Sequence, residues 1–369
     1  MKFKAYVIFF LLFGVLPDLY ICLLYSPEST LPWKLTYCLP TLAALISLVY
    51  IGMGRHYTAA LRIFSYLIFL FCLPKTVFCL LARLNGLAAA LAGAAVSLYF
   101  AYLIFYSTRH LKLMHQELHF PLLPKAFDGI RICQLTDLHL GSFGSRASYI
   151  QRIIDSTLAQ KPDLILFTGD LVNFCSDEAL PYREQLARLS APMGVYSILG
   201  NHDYLLHGHF NEKERLLDMK RLMRLENEIG WKLLEDRHVL LEKDGEQIAL
   251  AGVGNVSSNP YFTRMGGKLT HALKGIPEGV FTILLSHDPS HWRAEVLSHD
   301  NVSLTLSGHT HGLKYKLAGL HPSHWKLHES SGVYRQDGKV LHVSEGLGSA
   351  FSFRLGGFPR IDILKLKRK

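Results

Sequence analysis

Four apolar runs, roughly Ala5 to Tyr25, Tyr37 to Met53, Ile63 to Ala82 and Leu87 to Tyr106, fill almost all of the first 108 residues. Each is near the length of about 20 residues that an α-helix needs to cross the hydrocarbon of a bilayer, and the second is the shortest. The same stretch holds seven Lys/Arg and two Asp/Glu, whereas the remainder carries the other 32 basic and 28 acidic residues. The chain therefore divides into a membrane region, 1-108, and a water-soluble region. Lys2 and Lys4 precede the first run as they would in an export signal, but no small-x-small cleavage site follows and three further runs do. Lys2, Lys4, Arg55, Arg62, Arg109 and Lys112 fall on one side of a four-span arrangement, against Lys34 and Arg83 on the other. The preference of basic loops for the inside then predicts a protein of the cell (inner) membrane whose N-terminus and soluble domain are cytoplasmic.

Two charges break the apolar runs. Asp18 and Lys75 each follow a proline, and each lies thirteen residues beyond the start of its segment, counting from Ala5 and Arg62. Two parallel spans would place them at similar depth, where an intramembrane ion pair is the expected way to keep both charges. Of the six cysteines, Cys22, Cys38, Cys72 and Cys79 lie in or beside the apolar runs, while Cys133 and Cys175 in the soluble part show no paired spacing. All six read as reduced thiols.

The soluble part has about 260 residues, enough for one sizeable core. Its surplus of four positive charges is too small to mark a nucleic-acid groove, so no nucleic acid is expected as partner. Residues 109-129 read as a connector, ending in "PLLPKAFDG", whose prolines and glycine oppose a continuing helix. From residue 130 to residue 369, short apolar strands first alternate with amphipathic stretches: "IRICQL" before a helix from Arg146 to Gln160, "DLILFTGD" before Glu178 to Leu189, "GVYSILGNHD" before Glu212 to Ile229. Closely spaced strands follow, "KLLED", "HVLLEKDG" and "QIALAGVGN", and then two buried strands, "FTILLSHDP" and "VSLTLSGHTHG". Such alternation predicts α/β layers with a second, partly antiparallel sheet packed on the first.

Five of these strands end in residues of one chemical kind. "LTDLHLG" supplies Asp137 and His139, "TGD" Asp170, "LGNHD" Asn201, His202 and Asp203, "LLSHD" His287, and "SGHTHG" His309 and His311. Strand alternation would point His309 and His311 to the same side. Loops at the C-terminal ends of strands assemble sites in open α/β sheets, so these scattered residues should converge. Carboxylate, amide and imidazole without thiolate favour divalent Mn, Fe, Co or Zn over a Cys-rich structural zinc. A carboxylate between two ions would bridge them, as in two-metal hydrolases.

The pattern D-x-H, G-D, G-N-H-D, H and G-H-x-H, met in full and in order, resembles the calcineurin-like metallophosphoesterase family. The resemblance runs from about Ile130 to Leu366 and is greatest to the membrane-anchored branch of YkuE-type phosphoesterases. It implies a calcineurin-like four-layer αββα sandwich following the α-helical transmembrane region, and a metal-dependent phosphoric ester hydrolase. It also implies two divalent metal ions: Asp137, His139, Asp170 and His311 around one, and Asp170, Asn201, His287 and His309 around the other. His202 would face the substrate as a hydrogen-bond donor or proton donor, with Asp203 holding its imidazole. Thr136 stands where serine is common, Asn173 where an aspartate is common, and Arg360 where glutamate is usual.

Other features read more plainly. The helix "NEKERLLDMKRLMRLENEIG" is expected to pack on the core with a solvated charged face, and His207, His209, His321, His324 and His328 to lie at the surface or pocket rim. The partners expected are membrane lipids and a phosphate-containing substrate, lipid-linked because a cytosolic enzyme for soluble nucleotides gains nothing from four spans. The alternative is a membrane sensor or transport protein whose phosphoesterase-like domain is a regulatory binding module. The apolar side chains of the connector, among them Leu113, Met114, Phe120, Leu122, Leu123 and Phe127, are expected to meet the bilayer interface or an acyl chain.

Overall fold

The computed structural model describes residues 3–54, 57–144, 147–205, 210–258, 266–311, 328–349, 354 and 358–369. These form two units, one reaching Ser107 and one starting at Thr108.

The first unit contains four helices long and apolar enough to cross a membrane: α1 (Phe3–Tyr25), α2 (Leu31–Gly52), α3 (Thr58–Leu81) and α4 (Gly86–Phe105). α2 starts six residues earlier than its apolar run, because Pro32 suits the first turn of a helix and Thr30 is extended just ahead of it. Asn85 caps α4 by accepting a bond from Ala88 N at 2.9 Å. Proline removes an N–H and its ring clashes one turn back. α1 and α3 each absorb this as a π-helical turn, Leu11–Val15 ahead of Pro17 and Ile68–Cys72 ahead of Pro74. Leu23, Leu80, Leu84 and Leu87 are exposed on this unit, as suits side chains that face lipid.

In the second unit β1 (Lys112–Phe120), β2 (Arg131–Leu135), β3 (Leu164–Phe167), β4 (Val195–Ser197) and β5 (Lys232–Leu233) join the last strand in one sheet. β6 (Arg237–Lys243), β7 (Glu246–Gly252), β8 (Thr282–Leu285), β9 (Leu304–Ser307), β10 (Gly332–Gln336) and β11 (Lys339–Val343) form the other. β12 (Arg360–Arg368) returns to the first. The orders are β1-β12-β2-β3-β4-β5 and β10-β11-β9-β8-β7-β6. Side chains alternate across each strand, so every sheet buries two faces. On the first sheet Ile165 and Phe167 pack with Ile150, Ile154, Leu222 and Leu225 of α5 (Ala147–Ala159) and, beyond the short α6 (Arg183–Ala187), of α7 (Glu212–Glu228). Leu164 and Leu166 turn the other way, into a layer shared with Ile248, Leu250, Ile283 and Leu304 of the second sheet. Leu284 and Ala249 face outward onto α8 (Leu269–Leu273) and α9 (Ser290–Ala294) through Ala272 and Trp292. The result is an αββα sandwich.

The segment read as a connector is corrected by this structure. β1 lies within it and pairs in parallel with β12 over nine residues, from Lys112 with Arg360 to Phe120 with Arg368. Leu118, Phe120, Leu123 and Phe127 are buried between the sheets, with the Phe120 and Phe281 rings 5.0 Å apart. Those side chains are therefore core, and only Leu113, Met114 and Leu122 of the apolar set remain exposed. A soluble fragment has to begin ahead of Lys112, since one starting near Lys125 would remove an edge strand and uncover β12. The expected helix from Glu178 to Leu189 is likewise broken into two 3₁₀ turns, Ser176–Glu178 and Leu180–Tyr182, before α6, with Pro181 near the start of the second turn. The charged helix, α7, buries Asp218, Leu222, Leu225 and Glu226.

Glu226 makes this core pH-sensitive. It is fully buried, accepts a bond from Ser197 Oγ at 2.5 Å, and is pushed up to about 8 by burial, with the Asp203 charge adding to the effect. Its folded form thus holds a proton that the unfolded chain, with an ordinary carboxyl near 4.5, gives up. Stability falls as pH rises through that window. Glu226→Gln keeps the shape without the titration. Relative to wild type it should gain stability between about pH 5 and pH 8, with a slope of at most about 1.4 kcal/mol per pH unit. Denaturation curves of the two proteins across this range check it, and an unchanging difference contradicts it.

Candidate metal centre

Parallel pairing aligns the strand ends that carry the acid and histidine residues. Leu135 of β2 is beside Phe167 of β3, Phe167 beside Ser197 of β4, and Leu285 of β8 beside Leu306 of β9. Asp137, His139, Asp170 and Asn201 leave the first sheet, and His287, His309 and His311 leave the second, at one edge of the sandwich. Asp137, His139, Asp170 and His311 form one group whose ligand atoms lie within 4.8 Å of one another, and Asp170, His287 and His309 form another. In the first, His139 Nε2 is 3.2 Å from His311 Nε2 and 3.5 Å from Asp170 Oδ2, and His311 Nε2 is 3.6 Å from Asp137 Oδ1. In the second, His287 Nε2 is 3.2 Å from Asp170 Oδ2 and 3.2 Å from Asn201 Oδ1, which is 2.7 Å from His309 Nδ1. Asp170 Oδ2 is common to both.

This donor set fits cations. Two imidazole nitrogens and two carboxylates face one another with Asp137, His139 and Asp170 fully buried. Burial pushes His139 and His311 down to about 3, so both rings are neutral, the form that ligates. Burial also opposes charge on Asp170, but the neighbouring His287 and His202 hold it well below the usual carboxylate range. Burial lowers His287, but the charge and hydrogen bond of Asp170, with Asp137 and the Thr168 carbonyl, together raise it to about 10; a cation at this position has to displace that proton.

Residues 130–313 match the calcineurin-like phosphoesterase family. The chain belongs to that family. It is similar to the metallophosphoesterase YkuE of Bacillus subtilis (strain 168), 28% identical over 77% of this chain and 96% of that one. A transmembrane protein with metallophosphoesterase domain from Danio rerio is 28% identical over 54% of this chain, spanning 44% of that protein. The UDP-2,3-diacylglucosamine pyrophosphatase LpxG of Chlamydia muridarum (strain MoPn / Nigg) is 24% identical over 66% of this chain and 86% of that one. This calcineurin-like phosphoesterase is accordingly a metal-dependent phosphoester hydrolase and a membrane protein.

The phosphoesterase holds its centre in strained backbone. Asp137, His139, Asp170, His309 and His311 all have positive φ, between 49° and 69°, a region that side chains other than glycine avoid. β9 ends at Ser307, so His309 and His311 are aimed by these left-handed turns rather than by strand alternation, and they enter different groups. Glycine gives the loops room: a Cβ on Gly200 would sit 2.2 Å from Asp170 Oδ1, and one on Gly308 2.4 Å from Asp137 Oδ2. Thr136 Oγ1 and His309 N donate to Asp137 Oδ2 at 2.9 and 3.1 Å, and Asp137 Oδ1 is the oxygen near His311.

Asp203 differs from its expected role. Its carboxylate does not hold the His202 ring; it accepts four backbone bonds, from Asp170 N at 2.7 Å, Leu171 N at 2.9 Å, Val172 N at 3.1 Å and Gly200 N at 2.9 Å. It therefore pins the two loops that carry Asp170 and Asn201. The His202 ring is held instead through Nδ1, 3.0 Å from the Asn173 carbonyl, and its backbone N–H donates to Asp170 Oδ1 at 2.8 Å. The Asn173 side chain donates to Ser142 Oγ at 2.9 Å and favours the protonated form of His139 beside it.

Sequence reasoning missed two supporting residues. Asp288 Oδ2 lies 3.6 Å from His309 Nε2, the ring nitrogen opposite the one near Asn201, an arrangement that orients a ligating imidazole. Its signal was its place directly after His287. Gln134, fully buried, donates to Ser307 O at 2.9 Å and to Thr168 Oγ1 at 3.2 Å, tying the two sheets together beneath the centre. Nothing in the sequence separates it from an outward strand residue. Arg360 is buried and pairs with Asp362 at 3.0 Å and Glu345 at 3.2 Å. His207, His209, His321 and His324 lie outside the described residues.

Asp170→Asn should cost the protein metal in both groups, since it alters the one side chain they share, and turnover should fall with it. His202→Ala leaves every ligand in place. It should keep the metal content of wild type while lowering turnover by roughly 10² to 10⁴, the range for a positioned acid or base. Elemental analysis of the two purified variants separates these outcomes; equal metal loss in both contradicts the division of roles.

Proposed function

We propose that this phosphoesterase cleaves a phosphate or pyrophosphate bond of a lipid-linked substrate at the cytoplasmic face of the cell (inner) membrane, using two divalent ions drawn from Mn, Fe, Co or Zn. The reading is carried by the presence on one chain of four bilayer-length apolar helices and two acid–histidine groups that share a carboxylate. Anchoring raises the local concentration of a lipid substrate and does nothing comparable for a soluble one. The similarity to LpxG, whose named substrate is UDP-2,3-diacylglucosamine, supports the same choice. The distribution of Lys and Arg around the spans supports the cytoplasmic side.

In this reading Asp137, His139, Asp170 and His311 hold one ion, and Asp170, Asn201, His287 and His309 the other. When bound, the ions supply Lewis acidity toward phosphoryl oxygens and toward water. His202 stands beside the centre, its ring 4.8 Å from that of His139. With Nδ1–H given to the Asn173 carbonyl, Nε2 is the nitrogen that exchanges a proton, and protonated there it donates to the leaving oxygen. Asp203 is a positioning residue that keeps the Asp170 and Asn201 loops in register. Asp288 does the same for His309.

The test compares the full chain in vesicles with a fragment beginning at Thr108, which retains β1. Both should hydrolyse a small chromogenic phosphodiester with added divalent metal, and only the full chain should turn over a lipid-linked pyrophosphate efficiently. A fragment that cleaves a soluble nucleotide far faster than the full chain cleaves any lipid overturns the lipid assignment. Full metal loading with no phosphomonoester, phosphodiester or pyrophosphate cleaved would favour a regulatory binding domain.

A further inference from the structure

One pattern in the membrane unit is not used by the hydrolase site. Leu-Pro followed by a polar residue occurs in each of the first three spans: Leu16-Pro17-Asp18, Leu39-Pro40-Thr41 and Leu73-Pro74-Lys75. The three polar side chains meet. Lys75 Nζ is bonded to Asp18 Oδ1 and donates to Thr41 Oγ1 at 2.9 Å, and it lies 4.8 Å from the centre of the Tyr37 ring. Asp18 is 7% and Thr41 8% exposed, so the cluster is inside the bundle rather than on its lipid face.

We propose that Asp18, Thr41 and Lys75 form a single intramembrane site, a polar lock that fixes how the first three spans pack, so that the membrane unit is a specifically folded body and more than an anchor. The local chemistry supports a built site. α1 and α3 carry the same device, a π-helical turn, then Leu-Pro, then a charge of opposite sign, and each adds a cysteine four residues later, Cys22 and Cys79. Each π turn rotates the C-terminal part of its helix relative to the N-terminal part, and so brings the charge to the face shared with α2. Lys75 uses its donors on a carboxylate and a hydroxyl, with an aromatic face beside it, which leaves the cluster electrically neutral in a medium that penalises net charge. The thiols seat around it: Cys72 Sγ is 3.8 Å from Thr41 Oγ1, and Cys79 Sγ donates to the Pro17 carbonyl at 3.7 Å.

Removing either charge strands the other, whereas removing or exchanging both does not. The structure provides a reporter, because Cys22 Sγ of α1 lies 3.9 Å from Cys38 Sγ of α2. In membranes holding the full chain, iodine takes two electrons from this thiol pair, giving the disulfide, two protons and two iodide ions. Tryptic cleavage at Lys34, between the two cysteines, then leaves fragments joined only by that bond. Wild type should cross-link readily and Cys22→Ser not at all. Asp18→Asn and Lys75→Met should each lower the joined fraction at least about fivefold. The double variant D18N/K75M and the exchange D18K/K75D should recover most of it, the Thr41 hydroxyl being able to accept from lysine or donate to aspartate. Single variants that cross-link like wild type, or paired variants no better than the singles, overturn the proposal. Should the singles fail to insert, insertion and cross-linking of the paired variants decide the question in the same way.

Discussion

Crowded lone pairs govern the second unit. Three carboxylate or amide side chains and four imidazoles are brought to one edge of the sandwich, most of them buried, with His139 and His311 presenting nitrogens to each other at 3.2 Å. Left alone, most of this set repels itself, the protonated His287 beside Asp170 excepted, and burial removes the water that would screen it. The fold resists in two ways. Five of the candidate ligand positions sit in left-handed backbone, which no single local interaction would maintain. Around them, Asp203 gathers four N–H groups, Gln134 ties the sheets, and Asp288 and the Thr168 carbonyl hold the far sides of His309 and His287. In the proposed reading cations complete the arrangement, and Asp170, common to both groups, would make it one centre.

The site was more legible than the frame that carries it. Buried parallel strands are continuous apolar runs, and each run that matters stops abruptly at Asp, Asn or His, so both the strand and the residue it brings to the cluster could be read from the same few residues. β1 could not be read that way. Most of its residues from Lys112 to Glu117 are exposed at the sheet edge, and only Leu118 and Phe120 turn inward, so it resembled a polar connector. β12 was hidden by distance, since it returns from the chain's end to lie between β1 and β2. The role of Asp203 was misjudged for a related reason: sequence adjacency to His202 favoured a side-chain pair, whereas a fully buried carboxylate finds its strongest partners in the nearest unpaired backbone N–H groups.

The membrane unit follows the same physics in a poorer solvent. A bilayer tolerates Asp18 and Lys75 only together, and the sequence signalled the pairing through matching depth. Thr41 was not anticipated, because a threonine in an apolar run is unremarkable until its neighbours are known. Both units thus place charged groups where solvent cannot reach and balance them within the protein or with a bound ion.

Exchange coupling between bound ions is the most direct test of a single bridged centre. Metal-stripped protein reconstituted with Mn(II) should bind two ions per chain, and its electron paramagnetic resonance spectrum should show the magnetic coupling that a shared Asp170 carboxylate transmits. One ion per chain, or two with the spectrum of isolated Mn(II), would contradict it.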